Sequence, residues 1–163
     1  MDIEALRRSY RPNKVHLLLV GESAPASGKF FYLTSAMTTF TAHAFEKAYG
    51  LTFADNTEFL RFFQTCGCYL EDLSLTPVNT MRPTDRARTL RASVPSLAQR
   101  IRDVEPTVVV AVLRKIALHV EEALVLASRP AVFRVLPFPG SGHQNTYRDG
   151  LSEILRQYLP RKT

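Results

Sequence analysis

Four short runs of apolar and β-branched residues, separated from one another by stretches of helical patterning, constrain this chain more than any other feature. The first run, Lys14 to Val20, reads Val-His-Leu-Leu-Leu-Val in its apolar part and closes at Gly21, as buried parallel strands do. A second strand is expected from Cys68 to Leu73. The third, Thr107 to Val112, is β-branched at most positions and follows Pro106, which stops the preceding helix. The fourth runs from Val132 to Leu136. Helices are expected at Ala36 to Tyr49 with Gly50 as its stop, Asn56 to Gln64, Pro95 to Val104, Lys115 to Leu126 and Tyr147 to Leu159. Parallel neighbours need crossover connections. The alternation therefore predicts an α/β fold, one three-layer α/β/α domain over residues 1–163 with a four-stranded parallel sheet.

In an open parallel sheet, ligands bind beyond the carboxyl ends of the strands, so the loops that follow the strands are where chemistry is sought. The loop after the first strand is Gly21-Glu-Ser-Ala-Pro-Ala-Ser-Gly-Lys-Phe-Phe-Tyr32. It ends Gly-Lys but is not a phosphate-binding P-loop, because six residues rather than four separate Gly21 from Gly28 and Phe30 stands where Ser or Thr is required. What it offers is a carboxylate, Glu22, followed by an aromatic triplet; a structural turn with a solvated glutamate reads the same residues equally well. The second strand leads into Asp72-Leu-Ser-Leu-Thr-Pro-Val-Asn79. After the fourth comes Phe138-Pro-Gly-Ser-Gly-His-Gln-Asn-Thr146, where small residues allow close backbone approach and Ser141, His143, Gln144 and Asn145 supply donors and acceptors. Asn145 or Thr146 could instead cap the last helix. His16, His43 and His119 fall within regular elements, and no pair has zinc-site spacing. No metal or cofactor is expected.

The chain carries 21 Lys and Arg against 15 Asp and Glu, a net charge of +6 that favours an anionic partner. Arg82, Arg86, Arg88, Arg91, Arg100 and Arg102 fall in one acid-poor stretch, a candidate DNA contact that also reads as a solvated helix face. Cys66 and Cys68 are too close for an easy disulfide and too few for an iron-sulfur cluster. An acidic start without an apolar stretch, and no run of membrane-spanning length, point to a cytoplasmic protein.

Taken together the loops resemble the uracil-DNA glycosylase superfamily, and the resemblance runs through most of the chain. Val20 to Pro25, Val-Gly-Glu-Ser-Ala-Pro, is similar to the Gly-Glu-Ala-Pro-Gly opening of the thermophilic iron-sulfur members. Pro106 to Val112 resembles their Pro-x-Val-Val-Val-Ala-Leu strand. Phe138 to Tyr147, Phe-Pro-Gly-Ser-Gly-His-Gln-Asn-Thr-Tyr, resembles the second active-site motif, His-Pro-Ser-x-x-Asn, and in particular the branch reading His-Pro-Ser-Arg-Gln-Asn-Thr-Phe. The sequence departs from the family at three places. Phe138 stands where that motif has its histidine, Asp72 where the family usually keeps an Asn, and the cluster cysteines are absent.

The resemblance implies a monomer that binds DNA, extrudes a damaged base and hydrolyses its N-glycosidic bond in base excision repair. On that reading Glu22 orients or deprotonates water, and Phe31, with Phe30 and Tyr32 as alternatives, stacks on the base. Asp72 reads the base edge, with Ser141, Gln144 and Asn145 nearby. His143 stabilises the departing base, and Arg82, Arg86, Arg88 and Arg91 contact DNA. An ionised Asp72 accepts but does not donate hydrogen bonds, so the preferred base need not be uracil. Two rival readings stand beside this one: a base-binding module without chemistry, and a small-molecule hydrolase on the same sheet.

Overall fold

A computed structural model describes residues 2–161. The elements in chain order are α1 (Ile3–Ser9), β1 (Leu17–Gly21), a 3-10 turn (Phe31–Leu33), α2 (Ala36–Tyr49), α3 (Asn56–Thr65), β2 (Cys68–Asp72), α4 (Pro83–Ala92) and α5 (Val94–Val104). There follow β3 (Val108–Ala111), a second 3-10 turn (Arg114–Ile116), α6 (Ala117–Ala127), β4 (Val132–Val135) and α7 (Gln144–Tyr158). The four strands form one sheet in the order β2-β1-β3-β4, and every pairing is parallel. The α/β/α architecture expected from the alternation is the one observed.

The central strands β1 and β3 are buried along their length, with Leu17 to Val20 and Val108 to Ala111 all inaccessible to solvent. Burial on both faces explains why these runs are continuous rather than alternating. Helices pack in two groups. Tyr147 of α7 reaches Thr41 of α2 through a buried 2.8 Å hydrogen bond, and Arg102 of α5 donates to the carbonyl of Leu126 in α6 at 3.1 Å. α2 begins at a capping box in which Ser35 and Thr38 satisfy each other's backbone, and it ends where the sequence signals its stop, at Gly50 in the left-handed conformation.

Two helices carry no clear signal in the sequence pattern. α1 has too few residues for an apolar period to register, and Arg7 is its one fully buried side chain. α4 occupies the arginine-rich segment between β2 and α5; Pro83 starts it, and only Leu90 is buried, so it has no apolar stripe to detect. The last helix begins at Gln144, three residues earlier than expected, with His143 at the N-cap position. Neither Asn145 nor Thr146 is the cap.

β2 is an edge strand, yet all five of its residues are buried. Its exposed backbone is closed by side chains instead of another strand. Leu70 N–H donates to the Tyr32 hydroxyl at 2.8 Å, and Arg7 donates to the Leu70 carbonyl at 3.0 Å. Such closure removes the open edge on which chains aggregate.

Candidate functional site

The strand order reverses between β1 and β3: the chain leaves β1 to build β2 on one side and returns to build β3 on the other. Connections run in opposite directions from this point, and a crevice opens between the carboxyl ends of the two strands. A cavity of about 520 Å³ lies there, large enough for a nucleobase or a small ligand. Loops after β1, β2, β3 and β4 all contribute to its wall. Gly21 to Pro25, Phe30 and Phe31 come from the first, Asp72 and Asn79 from the second strand and its loop, Val112, Leu113 and Lys115 from the third, and Phe138 from the fourth.

Four hydrogen bonds zip the first two loops together and fix Glu22 at the mouth. Leu73 N–H donates to the Gly21 carbonyl at 2.8 Å, and Ser74 N–H to the Glu22 carbonyl at 2.9 Å. Farther along, Val78 N–H donates to the Ser23 hydroxyl at 3.1 Å, and Ala26 N–H to the Asn79 carboxamide oxygen at 3.0 Å. With its oxygen engaged, Asn79 keeps its amide NH₂ as a donor on the cavity wall.

The Glu22 side chain is 11% exposed and is bound by two cations. Arg86 of α4 grips both carboxylate oxygens through Nε, at 2.9 Å, and Nη2. Lys115, in the turn after β3, approaches Oε2 at 3.1 Å. The carboxylate holds the Arg86 guanidinium above its ordinary value through this hydrogen bond. Neither cation is placed beside Glu22 by the sequence. There Arg86 is one arginine of a run, and Lys115 is the start of a helix. The signal available is topological, since both follow strands whose carboxyl ends converge.

Asp72 is more deeply buried, 5% exposed, at the end of β2 beside Gly21. Its Oδ2 accepts from Arg7 Nη2 at 2.9 Å, while Oδ1 lies against Gly21, 2.6 Å from where a Cβ would stand. Glu71 next to it accepts from Arg100 at 2.7 Å, and Arg100 also donates to the Asp72 and Leu73 carbonyls. Burial pushes both carboxyls above the ordinary carboxylate range, with Arg7 pulling each of them back and Arg100 helping. Burial acts on Arg7 in the other direction, but Asp72, Glu4 and Glu71 outweigh it, so the guanidinium stays charged. Arg7 also stacks over the Phe30 ring, 4.9 Å from its centroid.

The aromatic wall is packed from behind by further rings. Phe31 is 5% exposed and packs edge-on against Tyr32, with ring centroids 5.0 Å apart, and tilted against Phe63 at 5.5 Å. Phe30 lines the cavity beside it, whereas Tyr32 lies outside the lining with its hydroxyl engaged by β2. Phe138 is 47% exposed and leans over Gly140, whose lack of a side chain leaves room for the ring.

Of the residues singled out in the sequence, Glu22, Phe31, Asp72 and Arg86 share this cavity, and Phe30 and Phe138 join them. Ser141, His143, Gln144 and Asn145 do not line it. Ser141 and Gly142, both with positive φ, turn the chain away into α7, and His143 is exposed at the helix start. The arginine run divides. Arg82, Arg88 and Arg91 are exposed on or beside α4, Arg86 enters the site, and Arg100 is committed to the β2 carboxylates.

Comparison of the sequence with protein-family models finds no match, and comparison with characterised proteins finds none.

Proposed function

We propose that this protein binds DNA and takes a flipped-out base into the cavity between β1 and β3, as a glycosylase of the uracil-DNA glycosylase type. The observation that carries the reading is the cavity itself. An aromatic wall, Phe30 and Phe31, stands within one pocket with a carboxylate, Glu22, a buried polar group, Asp72, and an exposed one, Asn79. A planar heterocycle satisfies such a wall, and aromatic stacking is worth about 1–3 kcal/mol per base. Asp72 and the free amide of Asn79 present an acceptor and a donor to the base edge.

In the reaction, water adds to C1′ of the sugar as the bond from C1′ to the base nitrogen breaks. The bonding pair leaves on the base, Glu22 takes the proton that water gives up, and the base takes a proton from solvent. General-base help of this kind is worth roughly 10²–10⁴ in rate. His143 has no step here, since it lies off the lining; it reaches the base only if the loop from Gly140 to Gly142 rearranges.

One second reading has specific support: a module that holds a base without cleaving it. Phe138 has no proton to give at the place of the family's histidine, and Glu22 is already bound by Arg86 and Lys115. The two readings separate on one experiment. Single- and double-stranded oligonucleotides carrying uracil, xanthine or hypoxanthine are incubated with the protein, and abasic sites are then cleaved with alkali. Strand scission dependent on the protein is expected. Binding of the same oligonucleotides with no scission for any base would overturn hydrolysis and leave the module.

A further inference from the structure

Three cations stand on the lining of the cavity: Lys29, Arg86 and Lys115. Against them are two carboxylates, and one of these, Asp72, is neutralised from behind by Arg7. That leaves Glu22 alone to balance the mouth. Lys29 makes no ion pair among the described residues, while Arg86 and Lys115 share the single Glu22 carboxylate. The mouth therefore carries an excess of positive charge that no group among the described residues satisfies.

The way Glu22 is held is the way an oxyanion ligand is held. Arg86 presents its Nε and Nη2 edge to two oxygens, the forked geometry that suits phosphate as well as carboxylate, and Lys115 adds a point charge to one of the same oxygens. Both side chains remain open to solvent, 29% exposed for Arg86 and 48% for Lys115. Both cations therefore stay within reach of an incoming anion while they hold the Glu22 carboxylate. Arg86 comes from α4 and Lys115 from the turn after β3, and Glu22 joins these elements across the cavity mouth.

We infer that Arg86 and Lys115 form a phosphate clamp and that Glu22 is its internal occupant, displaced when a phosphate group enters. The inference rests on the reading that the cavity takes a nucleotide, and it adds a selection rule. A terminal phosphate outcompetes one carboxylate through its greater charge and its additional oxygen, while a backbone phosphodiester, equal to a carboxylate in charge and free oxygens, displaces it through the other contacts of the bound strand. Once displaced, the Glu22 carboxylate is free of both cations and available to water. A nucleoside without phosphate leaves Glu22 locked, so the site responds to nucleic acid and not to free nucleosides.

The test uses the intact protein and small anions rather than a damaged base. Binding of inorganic phosphate, dimethyl phosphate and an abasic oligonucleotide is measured by calorimetry at constant ionic strength for wild type, Glu22→Gln, Arg86→Ala and Lys115→Ala, each checked for native circular dichroism. Glu22→Gln removes the competitor, so it is expected to bind anions about threefold to tenfold more tightly than wild type. Lys115→Ala is expected to weaken them by a similar factor, with Lys115→Arg restoring the affinity; this exposed position serves even if Arg86→Ala does not fold. Tightening with dimethyl phosphate and the abasic strand assigns the clamp to the DNA backbone, and tightening with inorganic phosphate alone assigns it to a terminal phosphate. Equal or weaker anion binding by Glu22→Gln overturns the inference. Base release plays no part in the measurement. A wild type that releases no base but shows the tightening keeps the clamp in a binding module, and a failed clamp leaves the glycosylase reading to its own assay.

Discussion

Arg7 donates to the carboxylate of Asp72 at 2.9 Å across 65 positions of chain, with both side chains almost wholly buried. The same guanidinium closes the edge of β2 at the Leu70 carbonyl and lies over the Phe30 ring. One side chain from a short N-terminal helix thus fixes the depth, the charge and part of the wall of the candidate site. Removing it leaves Asp72 buried without a partner, so Arg7→Ala is expected to cost about 3–5 kcal/mol in chemical denaturation.

That cost carries a pH signature. Burial already raises the folded-state value of Asp72 and Glu71, and without Arg7 it rises further. A carboxyl whose folded value lies above its unfolded one, about 4, binds more protons folded than unfolded, so stability falls as pH rises through that window. The deficit of Arg7→Ala relative to wild type should therefore shrink as pH is lowered from about 7 toward about 4. A deficit that grows on acidification would mean the carboxylates are stabilised by something other than Arg7. Asp72→Asn in the Arg7→Ala background should recover part of the stability at neutral pH.

Gly21 is required by close packing rather than by backbone conformation. A methyl group there would stand 2.6 Å from Asp72 Oδ1, and Asp72 is held from the other side by Arg7. Gly21→Ala is expected to destabilise the protein by about 1–3 kcal/mol, as overpacking does, and, if the cavity takes a base, to weaken its binding by shifting Asp72. Unchanged unfolding and unchanged affinity would show that Asp72 has room to move.

Glu22→Gln keeps the shape of the side chain and removes its charge. If hydrolysis is the reaction, single-turnover base release should fall by at least about tenfold while the protein still binds damaged DNA. His143→Ala, off the cavity lining, should leave the rate within about twofold of wild type. A large drop in His143→Ala would show that the Gly140 to Gly142 turn rearranges on binding.

The arginine run should separate by salt titration. Arg82, Arg88 and Arg91 are exposed, and if the protein binds DNA as proposed, replacing all three by alanine is expected to flatten the dependence of log affinity on log salt, by about 0.9 in slope for each phosphate no longer neutralised. Arg100→Ala acts differently. Its guanidinium holds Glu71 and two backbone carbonyls, so the expected effect is a lower unfolding midpoint, and a weakened DNA affinity at unchanged stability would contradict that role.

The sequence by itself determined the sheet and the ends of several regular elements. Continuous β-branched runs are stable only when buried on both faces, and Gly50 and Pro106 mark element ends through local backbone chemistry. It also placed Glu22, Phe31 and Asp72 on one rim, because carboxyl ends of parallel strands share a side. Only the tertiary structure decided what those residues meet. Arg7, Arg86, Arg100 and Lys115 each find a carboxylate far away in the chain, and no periodicity encodes so distant a charge partner. Equally, two residues of positive φ, Ser141 and Gly142, carry His143 away from the cavity while Phe138 of the same loop stays in it. Local pattern reports which face of an element is apolar; where a loop points, and which charge neutralises which, follows from packing of the whole chain.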